Sequence, residues 1–334
     1  EKAAKVPILI EDDQVSARSK IVNVASRVTN WEISPDGHRA LFGARGEIFT
    51  VPAKNGNTRN LTNTSGIHER NSKWSPDGKW IAYISDASGE DEIYLRLQDG
   101  TGQPVQLTAD ADTYKYGLFW SPDGKKIAWT DKLFRLQFID VASKQVTVID
   151  LAKPGEMGPF SWSPDSRWIA FTKPEVEGMA KIYLYSLAGK KIHEVTDGWY
   201  ASYEPVFSGD GKYLFFVSDR DFNPNISAVE LSYYYASMSR IYFVTLAADT
   251  KSPFAPKSDE VEIKIAAEAE AAKPAAAETK KEAPAPSGVT VKVDPEGLKE
   301  RAMALPLEPS NYGGLASVGD RVFYQKFVDG AGGL

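Results

Sequence analysis

One short motif, repeated at near-constant spacing, limits what this chain can fold into. Trp74-Ser75-Pro76-Asp77-Gly78, Trp120-Ser121-Pro122-Asp123-Gly124 and Trp162-Ser163-Pro164-Asp165-Ser166 are near copies. Ile33-Ser34-Pro35-Asp36-Gly37 and Phe207-Ser208-Gly209-Asp210-Gly211 are looser ones. The serines fall at 34, 75, 121, 163 and 208, giving steps of 41, 46, 42 and 45 residues. Each copy reads as a tight hairpin turn. Pro presets φ for the second position, Asp tolerates the third, and Gly accepts the left-handed conformation that returns the chain. Alternating apolar residues follow, as in Trp80-Ile81-Ala82-Tyr83, Lys126-Ile127-Ala128-Trp129 and Trp168-Ile169-Ala170-Phe171, the pattern of a buried strand. Next come a polar Ser-Asp or Thr-Asp loop (Ser85-Asp86, Thr130-Asp131, Ser218-Asp219) and a third strand such as Glu92–Leu95 or Lys181–Leu184. A fourth strand ends in Leu61-Thr62, Leu107-Thr108 or Val195-Thr196.

Four strands every 40–45 residues is the signature of β-propeller blades. The expected fold is all-β, with four-stranded TolB- or WD-like blades over 1–250 and a continuation over 289–334 whose degenerate turn lies near 319. About six blades are represented. Lys20–Val24 reads as a last-type strand before the first turn, and the last repeat stops after two strands, so the sequence reads as part of a longer protein whose ring is completed elsewhere. Residues 251–288, rich in Ala, Pro, Lys and Glu, read as a flexible insertion in the fifth or sixth blade, with room for a short helix at Glu262–Ala272. The Trp before each Ser is expected in the core between blades. Ser166 stands where the other turns have Gly, so its replacement by Gly is expected to be neutral or stabilising. Gly209 replaces Pro and leaves the fifth turn less preset.

Composition removes several chemistries. With 39 Lys and Arg against 45 Asp and Glu the net charge is −6, which argues against a nucleic-acid partner. There is no Cys, hence no disulfide framework and no thiolate metal site or nucleophile. No apolar run is long enough for a spanning helix. His38 follows a turn and His193 lies on a fourth strand; His68-Glu69 has Ser72 where a zincin needs its second His. No Gly-x-Ser-x-Gly elbow, P-loop or dinucleotide fingerprint occurs, and the acidic stretch Asp86–Glu92 reads as a solvated loop rather than a Ca²⁺ site. No catalytic set, metal or cofactor is expected. In a propeller the loops that lead into each first strand line the channel mouth. Those loops carry His68, Glu69 and Arg70; Tyr114, Lys115 and Tyr116; and Trp199, Tyr200, Tyr203 and Glu204. Arg70, Tyr116, Tyr203 and Glu204 are taken as the candidate substrate-channel residues, a mix of rings and both charges that suits peptides.

One set of segments is more specific than the turns. Ser218-Asp219-Arg220-Asp221-Phe222-Asn223-Pro224, Arg240–Leu246 and Ser252-Pro253-Phe254-Ala255-Pro256-Lys257-Ser258-Asp259-Glu260 together resemble tricorn-type serine proteases. Gly46–Ala53 with Thr58-Arg59-Asn60-Leu61-Thr62, and Asp294–Arg301, are similar to the same family. The resemblance implies most of a seven-bladed propeller that admits unfolded peptides and excludes folded proteins. It also implies a PDZ domain and catalytic domains downstream, and a parent that assembles as a hexamer. The family's catalytic residues lie downstream, so none maps onto this chain. The insertion favours a periplasmic or exported location, with the cytoplasm as the alternative. Two other readings stand beside this one: a TolB-like protein-interaction scaffold, and the propeller gate of a prolyl-oligopeptidase-type hydrolase.

Overall fold

The computed structural model describes residues 21–221, 224–226, 230, 232–254 and 288–327. Among these, five antiparallel four-stranded sheets follow one another along the chain, each in strand order one to four, and two hairpins accompany them. Blade two is representative, with strands Glu69–Trp74, Trp80–Ser85, Glu92–Leu97 and Val105–Gln106. The expected propeller blades are therefore present. The proposed helix at 262–272 and most of 251–288 lie outside the described residues, as do 1–20. Residues 21–24 form no strand; the chain instead makes one 3-10 turn at Ala25–Arg27 and enters blade one at Val28–Ile33, correcting the strand expected over Lys20–Val24.

The turn motif repeats because each of its side chains closes a bond. In blade two the Gly78 amide donates to Ser75 O at 2.9 Å, Ser75 Oγ donates to Asp77 Oδ1 at 2.6 Å, and the Lys79 amide donates to the same Oδ1 at 3.1 Å. The Trp80 amide then donates to Ser75 Oγ at 2.9 Å, fastening the second strand to the turn. The Ser–Asp and Asp–amide bonds recur at Asp36, Asp123, Asp165 and Asp210. They hold the Asp36 carboxyl below its ordinary range, through the Ser34 hydroxyl first and the His38 amide second. The terminal Thr of each repeat has an equally local cause. Thr62, Thr108 and Thr196 place Oγ1 2.8–3.1 Å from the amides of Ile48, Ile93 and Ile182, capping the start of the third strand where the short fourth strand has ended.

Packing explains why second strands are apolar on both faces. Ile81 and Tyr83 join Leu41 and Ile48 of blade one, whereas Ala82 and Ile84 join Leu118, Ile127 and Trp129 of blade three. The alternation repeats one blade on, where Ala128 turns to the cluster of Ile169 and Phe171. The core is thus a series of wedges between neighbouring sheets, since a period of two sends successive side chains to opposite neighbours. Thr130-Asp131 departs from the polar loop expected of it: Asp131 ends the second strand, is buried, and accepts bonds from Arg135 and Gln137. The motif tryptophans also differ from expectation. Trp74 is buried, but Trp120 and Trp162 are only half-buried, and their indole N–H groups donate to Lys73 O and Phe119 O of the preceding blade.

Both departures in the turn series have a steric or bonding reason. Ser166 does adopt φ 60°, and its Oγ accepts the Asp123 amide of the neighbouring turn at 3.0 Å. At Gly209 an added Cβ would sit 2.3 Å from Gly319 O, because the turn of the terminal hairpin (Asn311–Val318, Arg321–Phe327) presses against it. Blade five is the elaborated one. A hairpin of Pro224–Ile226 and Tyr233–Tyr235 interrupts the path from its second to its third strand, a feature the turn spacing did not signal. Its fourth strand, Ala302–Ala304, comes only after the insertion. The returning segment buries Val291 and Leu298 in the wedge between blades four and five, and Arg301 donates to the carbonyls of Thr245, Leu246, Asp294 and Glu296.

Candidate functional site

The first strands of successive blades lie side by side along the inner rim, and the loops leading into them gather at the end opposite the turns. At this loop end the first strands bulge. Pairing with the second strand skips between Arg70 and Lys73 in blade two, opposite Lys115–Leu118 in blade three, and between Tyr203 and Val206 in blade five. Asn71 and Glu204 occupy the left-handed region at φ 53° and 54°. A bulge re-aims the side chains beside it. Arg70, Tyr116, Tyr203 and Glu204 all lie at or next to this step, four or five residues before the motif serine.

The structure does not bring the four together; each is bonded to a different neighbour. Arg70 is buried, and its guanidinium holds Asp91 in two bonds of 3.1 and 2.5 Å. Its Nε donates to Tyr114 Oη at 3.0 Å, another nitrogen reaches Lys115 O at 3.3 Å, and the group stacks 4.0 Å from the Tyr114 ring centre. Arg70 is therefore a clasp between blades two and three. Tyr116 is half-buried and donates to Glu156 Oε1 at 2.6 Å; that carboxylate acceptor, before any effect of burial, raises the phenol above its ordinary pKa. Tyr203 donates to Asp219 Oδ1 at 3.1 Å, and burial followed by the Asp219 charge pushes the phenol up to about 12. Asp219 is itself raised by burial. Glu204 accepts the Leu315 amide at 3.2 Å and so anchors the terminal hairpin.

The partners Asp91, Glu156 and Asp219 were not taken as channel residues from the sequence: Asp91 and Asp219 meet Arg70 and Tyr203 within one blade, and Glu156 reaches Tyr116 from the loop leading into blade four. Lys115 and Glu69 occupy the same step of their strands with opposite consequences. Lys115 is buried against Glu92, with Nζ 3.4 Å from Oε2 and 2.6 Å from Asp91 O. Glu69 is buried too, yet among the described residues it forms no ion pair. Its Oε1 accepts Thr64 Oγ1 at 2.6 Å while Oε2 has no partner, and it borders a cavity of about 60 Å³ lined also by Tyr83, Tyr94 and Arg96. Burial first, and the Glu47 charge in addition, raise its pKa above the usual carboxylate value.

Three of the four carboxylates of Asp86–Glu92 are engaged in the scaffold, and Glu90 is exposed. Asp86 accepts the His68 amide, Asp91 takes Arg70, and Glu92 takes Thr108, Lys115 and the Ala111 amide. Among the described residues no group of three His, Asp or Glu side chains is placed to hold a metal ion. The His38 ring meets Asp36 O and the His193 ring lies 6.1 Å from Trp168, so neither is oriented toward a nucleophile. No helix among the described residues is long and apolar enough to cross a membrane. What the arrangement offers is a set of aromatic and charged loops leading into the first strands.

Comparison with known proteins agrees with this geometry. The chain is 28% identical over 331 residues to tricorn protease homolog 1 of Streptomyces coelicolor, which covers 96% of this chain and 29% of that protein. It is 25% identical over 262 residues to the tricorn protease of Thermoplasma acidophilum, covering 76% and 23% of the two. The chain thus spans only about a quarter to three-tenths of the length of these relatives. The crystal structure of the tricorn protease superposes with a TM-score of 0.70 at 19% identity, over 87% of this chain and 26% of that one, a likeness of fold. The family model described as the tricorn protease second β-propeller domain matches residues 28–331, and the chain belongs to that family.

Proposed function

We propose that this chain is the non-catalytic propeller of a tricorn-like serine peptidase, and that it guides unfolded peptides toward a proteolytic site carried by other domains of the same protein. The observation that carries the reading is the match of nearly the whole chain to a second-propeller family, in a fold whose first strands are entered through aromatic and charged loops. The relatives are named as proteases and are more than three times longer than the matched stretch, which supports placing the chemistry elsewhere. Within this reading the downstream PDZ and catalytic domains are partners, peptides are the substrate, the assembly is a hexamer, and the compartment is the periplasm or beyond. The test compares peptide hydrolysis by the full-length protein and by this chain alone. Hydrolysis confined to the full-length protein is expected; turnover by the isolated chain would refute the proposal.

A further inference from the structure

Large apolar side chains are unevenly placed around the loop end. In blade four the loop between second and third strands exposes Val176 (68%) and Met179 (54%), and the loop leading into blade five exposes Trp199 (81%) and Tyr200 (40%). The two loops are joined: the Met179 amide donates to Gly198 O at 3.1 Å, and the Ser202 amide to Ala180 O at 3.0 Å. The two bonds hold the loops, and the exposed apolar groups they carry, side by side. An exposed Trp beside Met and Val is a costly surface for a soluble domain and marks a contact site.

Charge around the patch says what the contact carries. Glu175, Glu177 and Asp197 belong to the same two loops, and none has a Lys, Arg or His nitrogen within ion-pair distance among the described residues. Of the nearby cations, Lys173 pairs with Asp150, Lys181 with Glu194 and Arg240 with Asp221, while Arg220 lies 5.1 Å over the Tyr242 ring. Glu175 accepts the Tyr183 phenol and Asp197 the Trp199 amide, so both carboxylates are fixed in place by neutral donors. The patch is apolar at its centre, and its margin carries the three carboxylates against the single cation of Arg220.

We infer that this patch is a docking site for extended peptide segments in which large apolar side chains alternate with Lys or Arg. The inference rests on the peptide-guiding reading and adds a preference to it: apolar groups cover Trp199 and Met179 while basic groups meet Glu177 and Asp197. Neutral and acidic segments gain only half of that complementarity, and like charges are repelled.

The test uses the full chain and three labelled decapeptides: one alternating Leu or Phe with Lys, one with Glu replacing Lys, and one with Ser replacing the apolar residues. Fluorescence anisotropy is read at low and at physiological salt. The apolar basic peptide is expected to bind about tenfold more tightly than either control, more weakly as salt rises, and about tenfold more weakly to Trp199→Ser. Glu177→Lys combined with Asp197→Lys should reverse the preference between Lys and Glu peptides. Because Trp199 is on the surface, its variant is expected to melt with the parent, which thermal denaturation checks. Equal binding of all three peptides, or binding that Trp199→Ser leaves unchanged, overturns the inference while leaving peptide guidance intact. Self-association that Trp199→Ser abolishes, with no peptide binding, also overturns it and assigns the patch to a second copy.

Discussion

Arg70 offers the sharpest choice between scaffold and channel wall. The Arg70 and Asp91 side chains are 8% and 19% exposed, so Arg70→Ala would strand a mostly buried carboxylate and remove the donor of Tyr114 Oη. Breaking such a pair from one side costs about 3–5 kcal/mol when the ions are fully buried. Solvent reaches Asp91 in part, which places the expected loss near the lower end, about 3 kcal/mol. At roughly 2 cal/mol/K of unfolding entropy per residue, a cooperative unit of about 270 residues would then melt about 5 °C lower. Asp91→Ala leaves Arg70 bonded to Tyr114 and Lys115 O, so about 2 kcal/mol is expected from it. The double variant should cost about 3 kcal/mol, less than the two single losses combined, because no unpaired charge remains. Thermal and urea denaturation of the four proteins measures the cycle. If Arg70→Ala melts within about 1 °C of the parent yet weakens peptide binding, the clasp assignment is wrong and Arg70 faces substrate.

Three further outcomes follow from the geometry. Ser166→Gly relieves a left-handed residue but deletes the acceptor of the Asp123 amide, two effects of about 1 kcal/mol each, so its stability should stay near the parent; Ser166→Ala keeps the strain, loses the bond, and should melt lower than the Gly variant, and the reverse order would disprove the role of Oγ. Gly209→Ala should destabilise by about 1–3 kcal/mol and speed amide exchange in Asn311–Phe327, since its methyl meets Gly319 O; unchanged exchange there would refute the contact. Glu69 has a raised folded pKa, so its stabilising contribution is complete below the ordinary Glu value and is lost as pH rises through the raised one; Glu69→Gln should therefore raise Tm at pH 7 and lose that advantage toward pH 4, and a variant that melts lower at pH 7 would contradict the burial account.

How far the sequence could be read follows the range of each interaction. The turns were legible because Ser75, Asp77 and Gly78 bond to each other and to residues at most five away, so the whole device lies in one window. The second strands were legible because burial on both faces makes them apolar throughout. Thr62 and Thr108 recurred visibly, although their partners at Ile48 and Ile93 lie 14 and 15 residues back. The candidate channel positions came out at one structural step for the same reason, being counted from the motif serine. Their partners did not, since Arg70 meets Asp91 21 residues on in its own blade and Tyr114 and Lys115 across a blade boundary, and nothing local in Asp86–Glu92 separates a clasp residue from a solvated carboxylate. Gly209 was misleading: its cause is Gly319, more than a hundred residues away, whereas sequence alone could see only a missing Pro.

The inner rim of a propeller poses an edge problem, because each first strand presents unpaired main-chain groups to the channel. Here side chains of the neighbouring blade cover many of them. Glu32 accepts the Trp74 amide at 2.7 Å, Asn30 donates to Ser72 O, Trp120 to Lys73 O and Trp162 to Phe119 O, and Glu204 accepts the Leu315 amide. These stitches give Trp120 and Trp162, which are only half-buried, a role of their own: each indole N–H donates to the first strand of the preceding blade, whereas Trp74 is buried in the core. They also bear on the proposed passage of peptides. A bare strand edge would hold an extended chain by adding it to the sheet, and release would require breaking a ladder of bonds. An edge already satisfied from the side leaves a passing segment only side-chain contacts, which are weaker and easily exchanged. A wall of that kind suits a guide, and retention would then fall to exposed features at the rim such as Trp199 and Met179.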